Sequence, residues 1–118
     1  VRNAADSIAF YRDKLGFEVT FQEPTHDPFF AIVCRDGAML FVKAVGVDPV
    51  PNSTRHPWAR LDAYISVPDP DALAAEFAAR DVSFSEPLKD TSDGLRGFEL
   101  KDLDGYVLFF GRPRENPN

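Results

Sequence analysis

The chain repeats itself, and the repeat limits its fold more than any other feature. Phe21-Gln22-Glu23-Pro24 returns as Phe84-Ser85-Glu86-Pro87, 63 residues later. Phe30, Asp36-Gly37, Leu40 and Phe41 return as Phe98, Asp104-Gly105, Leu108 and Phe109, 68 residues later. The five-residue difference reads as a longer loop within Leu88 to Leu95 of the second copy. A chain of 118 residues has room for one core, so the two copies must share it. The reading is a single domain over 1–118, with module one at 1–45, a linker at 46–59, module two at 60–112 and a tail at 113–118.

Each module carries the signals of one helix followed by three strands. Asn3 can cap the first helix, with Asp6 three positions on as its capping-box partner. Ile8, Tyr11 and Leu15 fall on one helical face, and Gly16 follows as a stop. In the second module Asp69 is a good N-cap, Pro70 suits the first helical position, and Leu73 and Phe77 sit four apart. The alternation predicts strands at 17–23, 29–35 and 38–45, and again at 82–86, 97–102 and 106–111. Ala63 to Val67 opens the second module as a strand, and Val1-Arg2 reads as the tail of its counterpart. Asp36-Gly37 and Asp104-Gly105 are hairpin turns, because glycine accepts positive φ without steric cost. The unit is βαβββ, twice, joined by a semi-rigid linker with prolines at 49, 51 and 57.

Two such units can place their sheets together as one curved mixed sheet with the helices outside, an α+β fold. Strand alternation then puts Phe30, Ile32, Leu40 and Val42 under helix one, and Phe98, Leu100, Leu108 and Phe110 under helix two. The opposite, concave face receives Phe41 and Phe109, with Asp62, Tyr64 and Glu99. Two Phe at repeat-related positions on a face that would otherwise meet water predict a lined cavity.

Composition removes several function classes. A hydrophobic fraction of 44% with 15 aromatic residues excludes a mainly disordered chain. The formal net charge of −6 argues against nucleic acid as a partner and favours encounter with cations. One cysteine, Cys34, forbids an internal disulfide and a multi-cysteine metal site, and suits a reducing cytoplasm. No apolar run reaches the ~18–20 residues of a membrane span, and the N-terminal residues lack a secretory-leader pattern. His26 and His56 are the only histidines, and neither has a second donor at ligand spacing. No G-x-S-x-G elbow, Cys/His pair or phosphate-cradling glycine loop is present.

At the level of motifs, Ser7-Ile8-Ala9-Phe10-Tyr11-Arg12-Asp13-Lys14-Leu15-Gly16-Phe17 resembles the FY-x-x-x-LGF signature of the vicinal oxygen chelate superfamily. That superfamily includes glyoxalases, ring-cleaving dioxygenases, fosfomycin-modifying enzymes and bleomycin resistance proteins. Asp62 to Leu73, and Arg96-Gly97-Phe98-Glu99-Leu100-Lys101-Asp102-Leu103-Asp104-Gly105, are similar to the bleomycin resistance branch. The resemblance implies the paired βαβββ fold and a homodimer whose sites are shared between chains. For the metal enzymes of the superfamily it implies ligands at repeat-related strand positions. These are a His or Gln opening a module's first strand, and a Glu or His in its last strand. The opening position of module two falls on Asp62, and the two last-strand positions fall on Phe41 and Phe109.

Phe offers no donor atom, and a divalent metal needs several N, O or S donors on one centre. The expectation is therefore a protein with no metal and no cofactor, and no catalytic residues. It would bind a small planar or cationic molecule as the bleomycin resistance branch does, sequestering an antibiotic without changing it. Phe41, Trp58, Tyr64 and Phe109 would supply aromatic faces, Asp62 and Glu99 carboxylates, and Arg96 the branch's arginine. The alternative is a metal-dependent glyoxalase-like lyase, isomerase or dioxygenase with a displaced metal site.

Overall fold

The computed structural model describes residues 1–55, 58–59 and 61–114. Helix α1 (Ala4–Ala9) opens module one and is capped by Asn3, whose side chain accepts from the Asp6 amide. It runs into a wider, π-helical turn at Phe10–Lys14. Gly16, at φ 67°, then reverses the chain, and the Phe17 amide donates to the Tyr11 carbonyl at 2.9 Å. Strands β1 (Glu18–Glu23), β2 (Phe30–Arg35) and β3 (Ala38–Lys43) form an antiparallel sheet in that order. A short helix α2 (Asn52–Arg55) lies in the linker. Module two follows as β4 (Ala63–Ser66), α3 (Pro70–Ala79), β5 (Glu86–Asp90), β6 (Leu95–Lys101) and β7 (Val107–Pro113). Its sheet has the order β4-β7-β6-β5, with β4 parallel to β7 and the rest antiparallel. The architecture is α+β with one antiparallel and one mixed sheet.

One core joins the modules. Tyr11, Leu15, Phe17, Val33 and Val42 from module one meet Leu73, Phe77, Phe98, Leu100 and Phe110 from module two. An ion pair reinforces the junction. The Arg35 guanidinium donates to both Glu76 carboxylate oxygens at 2.7 Å and to the Leu15 carbonyl at 2.9 Å. This fork holds the Glu76 carboxyl below its ordinary range.

Three expectations are corrected by the structure. The first concerns β2. Ala31 and Val33, both fully buried, face the core, whereas Phe30 and Ile32 point outward with Phe41. The cause is hairpin register. Asp36 and Gly37 both take positive φ, 50° and 85°, and close a two-residue turn that sets Arg35 opposite Ala38. In module two, residues 102–106 make a five-residue connection that sets Lys101 opposite Val107. Relative to the repeat, the pairing has slipped by one residue, and one residue turns a strand over. Leu40, Val42, Leu108 and Phe110 keep the expected core face, as do Phe98 and Leu100.

The second correction is the strand expected at 82–86. Val82 and Phe84 pack against the core as the chain leaves α3, and the ladder begins only at Glu86. The ladder shifts register between Glu86 and Lys89, around Pro87, in the manner of a charged, interrupted edge strand. The extra residues of the second copy therefore lengthen the strands on either side, β5 at 88–90 and β6 at 95–97, rather than a loop. The third is Asp104-Gly105, which lies within the five-residue connection rather than forming a two-residue turn.

The type I′ turn supplies a direct test. Nothing lies within 4 Å of a Cβ added at Gly37, so only its φ of 85° penalises a side chain. Gly37→Ala is expected to cost about 1–2 kcal/mol of stability, read from denaturant unfolding.

Candidate functional site

The outward faces of the two sheets carry aromatic rows. On the first sheet, register aligns Phe21, Ile32 and Phe41 across β1, β2 and β3. A register shift between Val19 and Phe21 lets β1 bury Val19 against the core yet turn Phe21 outward. Phe30 bridges Phe21 and Phe41 edge to face, with centroids at 5.9 and 5.5 Å. Phe41 is 66% exposed and Met39 61%, a large apolar area left to solvent by a single chain.

On the second sheet, Tyr64, Phe109, Glu99 and Glu86 stand opposite one another across β4, β7, β6 and β5. The Tyr64 and Phe109 rings stack, with centroids 5.5 Å apart and an interplanar angle of 17°. Tyr64 is 43% exposed, whereas Phe109 is 7% and Glu99 5%. The Ser85 hydroxyl donates to Glu99 Oε1 at 3.1 Å. Three of the residues expected to line a site thus meet in one row, with Tyr64 as the accessible ring and Phe109 backing it. A cleft of about 630 Å³ runs beside Tyr64 and Ser66 to the β2–β3 turn.

The other expected residues are placed elsewhere. Phe41 lies on the other sheet's face. Trp58, at the end of the linker, is 79% exposed. Asp62 has both carboxylate oxygens engaged by backbone amides, Asn52 on Oδ1 at 2.8 Å and Val107 on Oδ2 at 2.7 Å. It pins the linker to the head of β4. Arg96 sits on the helix side of β6, in register alternation with Phe98. It donates to both Asp71 oxygens at 2.8 Å and to Asp90 at 3.1 Å. It lines a larger cleft, of about 1000 Å³, with Asp69, Asp71, Asp90, Arg112 and Arg114. Charges of both signs balance there, and neither cleft is lined by Phe41 or Phe109. Sequence reasoning missed Phe30 as a member of the outward face because its side depended on the register of β2, and Phe21 because its side depended on the register shift in β1.

The residues do not fit a metal ion. Phe41 and Phe109 carry no donor, and Asp62 is committed to amides. Among the described residues no group of three His, Cys, Asp or Glu side chains could hold a metal. His26 is exposed, and His56 lies outside the described residues.

The family model for the Glyoxalase/Bleomycin resistance protein/Dioxygenase superfamily matches residues 1–110. The chain belongs to that superfamily. Among solved structures, this superfamily member is similar to TioX from Micromonospora sp. ML1, with a TM-score of 0.75 at 19% identity, covering 96% of this chain and 92% of that one. It is similar to a glyoxalase/bleomycin resistance protein/dioxygenase from Alicyclobacillus acidocaldarius, with a TM-score of 0.74 at 19% identity and coverages of 98% and 86%. It is also similar to TnmS3, an antibiotic binding protein from Streptomyces sp. CB03234, with a TM-score of 0.66 at 25% identity and coverages of 92% and 85%. No curated protein matches the chain in sequence. No helix among the described residues is long and apolar enough to cross a membrane.

Proposed function

We propose that this superfamily member binds a planar, cationic small molecule of the antibiotic class on its aromatic faces, without a metal, and leaves it chemically unchanged. One observation carries the reading. The two positions that correspond to last-strand metal ligands hold Phe41, exposed in the aromatic row of the first sheet, and Phe109, buried in stacking contact with the accessible Tyr64 ring. Flat π-faces attract planar ligands, and the formal net charge of −6 favours encounter with a cation. TnmS3, an antibiotic binding protein, has the same fold.

A homodimer completes the site. Among the described residues the two sheets share no ladder, and the principal extents are 52 × 30 × 23 Å. Exposed Phe41 and Met39 on one sheet support a curved cavity closed by the second protomer's other sheet. Sedimentation is expected to return twice the chain mass of 13.2 kDa.

The test is titration with bleomycin and with ethidium, read by equilibrium dialysis. Saturation near one ligand per subunit, with the ligand recovered intact, is the expected result. Tyr64→Ala should weaken binding by about ten- to a hundredfold, the loss of an accessible stacking face. Stoichiometric zinc, manganese, iron or nickel that survives dialysis would overturn the reading in favour of the lyase.

A further inference from the structure

We infer that Gly97 and Gly111 are positioning residues for the ligand, acting through Phe109 on Tyr64. This rests on the proposed binding function. Five of the seven glycines adopt positive φ, at 16, 37, 46, 94 and 105, and these two do not. Conformational freedom therefore does not explain them, and within a strand glycine weakens the ladder. Space does explain them. The two stand directly opposite each other in the β6–β7 pairing, one step along from Glu99 and Phe109 on the same face. A Cβ on Gly97 would lie 2.6 Å from Phe109 Cζ, and a Cβ on Gly111 would lie 2.5 Å from Phe109 Cε1. Both distances are below any real Cβ contact. The Phe109 ring thus reaches with its Cε1–Cζ edge into a notch that only two hydrogen side chains leave open.

The consequence reaches the ligand through one stacked pair. A side chain at either glycine lifts the Phe109 ring off the sheet. Tyr64, stacked at 17° against that ring, then loses its backing. Tyr64 is the accessible ring of the row, so its tilt determines whether a flat ligand finds a parallel face. The glycine pair thereby selects for planar aromatic ligands over bulky aliphatic ones.

A Cβ at these positions also meets backbone, Phe110 O at 2.3 Å from Gly97 and Arg96 O at 2.6 Å from Gly111, so alanine variants carry a ladder cost as well. The first measurement therefore uses the wild-type chain. Its Gly97 and Gly111 α-proton NMR signals are expected to carry ring-current shifts from Phe109, and Phe109→Leu should abolish them. Unshifted signals would overturn the notch. The second measurement is ethidium affinity across Gly111→Ala, Phe109→Leu and the double variant. Each single change is expected to weaken binding about tenfold, and the double change no more than Phe109→Leu alone, because the Cβ then has no ring to displace. Losses that add to about a hundredfold would overturn the proposal. If Gly111→Ala does not fold, Phe109→Leu decides: loss of the proton shift with affinity intact overturns it. A wild-type chain that keeps the shifts and binds neither ethidium nor bleomycin would instead overturn the proposed function.

Discussion

Phe77→Ala is expected to lower the unfolding free energy by about 3–5 kcal/mol, the range for deleting a fully buried Phe. Phe77 has no exposed surface and packs edge to face against two rings at once, Phe98 at 5.7 Å and 87°, and Phe110 at 5.4 Å and 89°. Phe98 and Phe110 themselves stack at 5.6 Å and 13°, and Phe110 meets Phe17 of module one at 6.5 Å. Removing the ring therefore opens a void where α3, the second sheet and module one converge. The Arg35 guanidinium, 5.8 Å from the Phe77 centroid, loses its aromatic face as well. Domains of this size hold about 5–15 kcal/mol in total, so the variant loses a large share of its stability. Denaturant unfolding checks this, with Val47→Ala as the control. Val47 is 67% exposed in the linker and should change stability by less than about 0.5 kcal/mol. A loss under about 1 kcal/mol at Phe77 would mean that α3 does not dock on these rings.

The same rings mark how far the sequence could be read. The caps, the repeat, the core faces of β3, β6 and β7, and the helix–strand order were legible because each depends on neighbours in sequence. Asn3 and Asp69 cap their helices through amides three positions on, and Pro70 opens α3. The inward face of β2 was not legible. It depends on a difference in turn length between two Asp-Gly segments that look alike, one a two-residue turn and the other part of a five-residue connection. Strand β5 was misplaced because an edge strand reads Glu-Pro-Leu-Lys-Asp, with little apolar alternation to find. The shared row of Tyr64, Phe109 and Glu99 was recoverable because parallel and antiparallel pairing around β7 followed the expected alternation. Asp62 and Arg96 show the limit: their partners, Asn52, Val107 and Asp71, are 10, 45 and 25 residues away. A sequence read along its own line does not reveal such closures.

Asp102→Ala is expected to cost about 2–4 kcal/mol, because this one carboxylate satisfies three donors. Oδ2 accepts the Tyr11 hydroxyl at 2.8 Å, and Oδ1 accepts the amides of Asp104 at 2.9 Å and Tyr106 at 3.0 Å. The alanine leaves a buried hydroxyl unpaired and removes the hub of the β6–β7 connection, which also reaches α1 through Asp104. Burial pushes the Asp102 carboxyl above its ordinary value, more than its hydrogen bonds pull it down. The Tyr11 hydroxyl is driven well above its own ordinary value, first by burial and then by Asp102, so it remains a donor. The folded state thus holds the Asp102 proton more tightly than the unfolded chain does. Its contribution to stability is fully present below the ordinary carboxylate pKa of 3.8, and is lost as pH rises through the higher folded value. Asp102→Asn keeps an acceptor for the two amides but cannot titrate. Its deficit relative to wild type should therefore be larger at about pH 3 than at about pH 7, measured as the difference in unfolding free energy. A deficit that grows with pH instead would show that the hydrogen bonds outweigh burial at this carboxylate. Glu76, held low by Arg35, runs the other way: its contribution appears above the ordinary carboxylate range and is lost as acid is added. The Asn variant leaves that fork untouched, so the difference between the two pH profiles isolates Asp102.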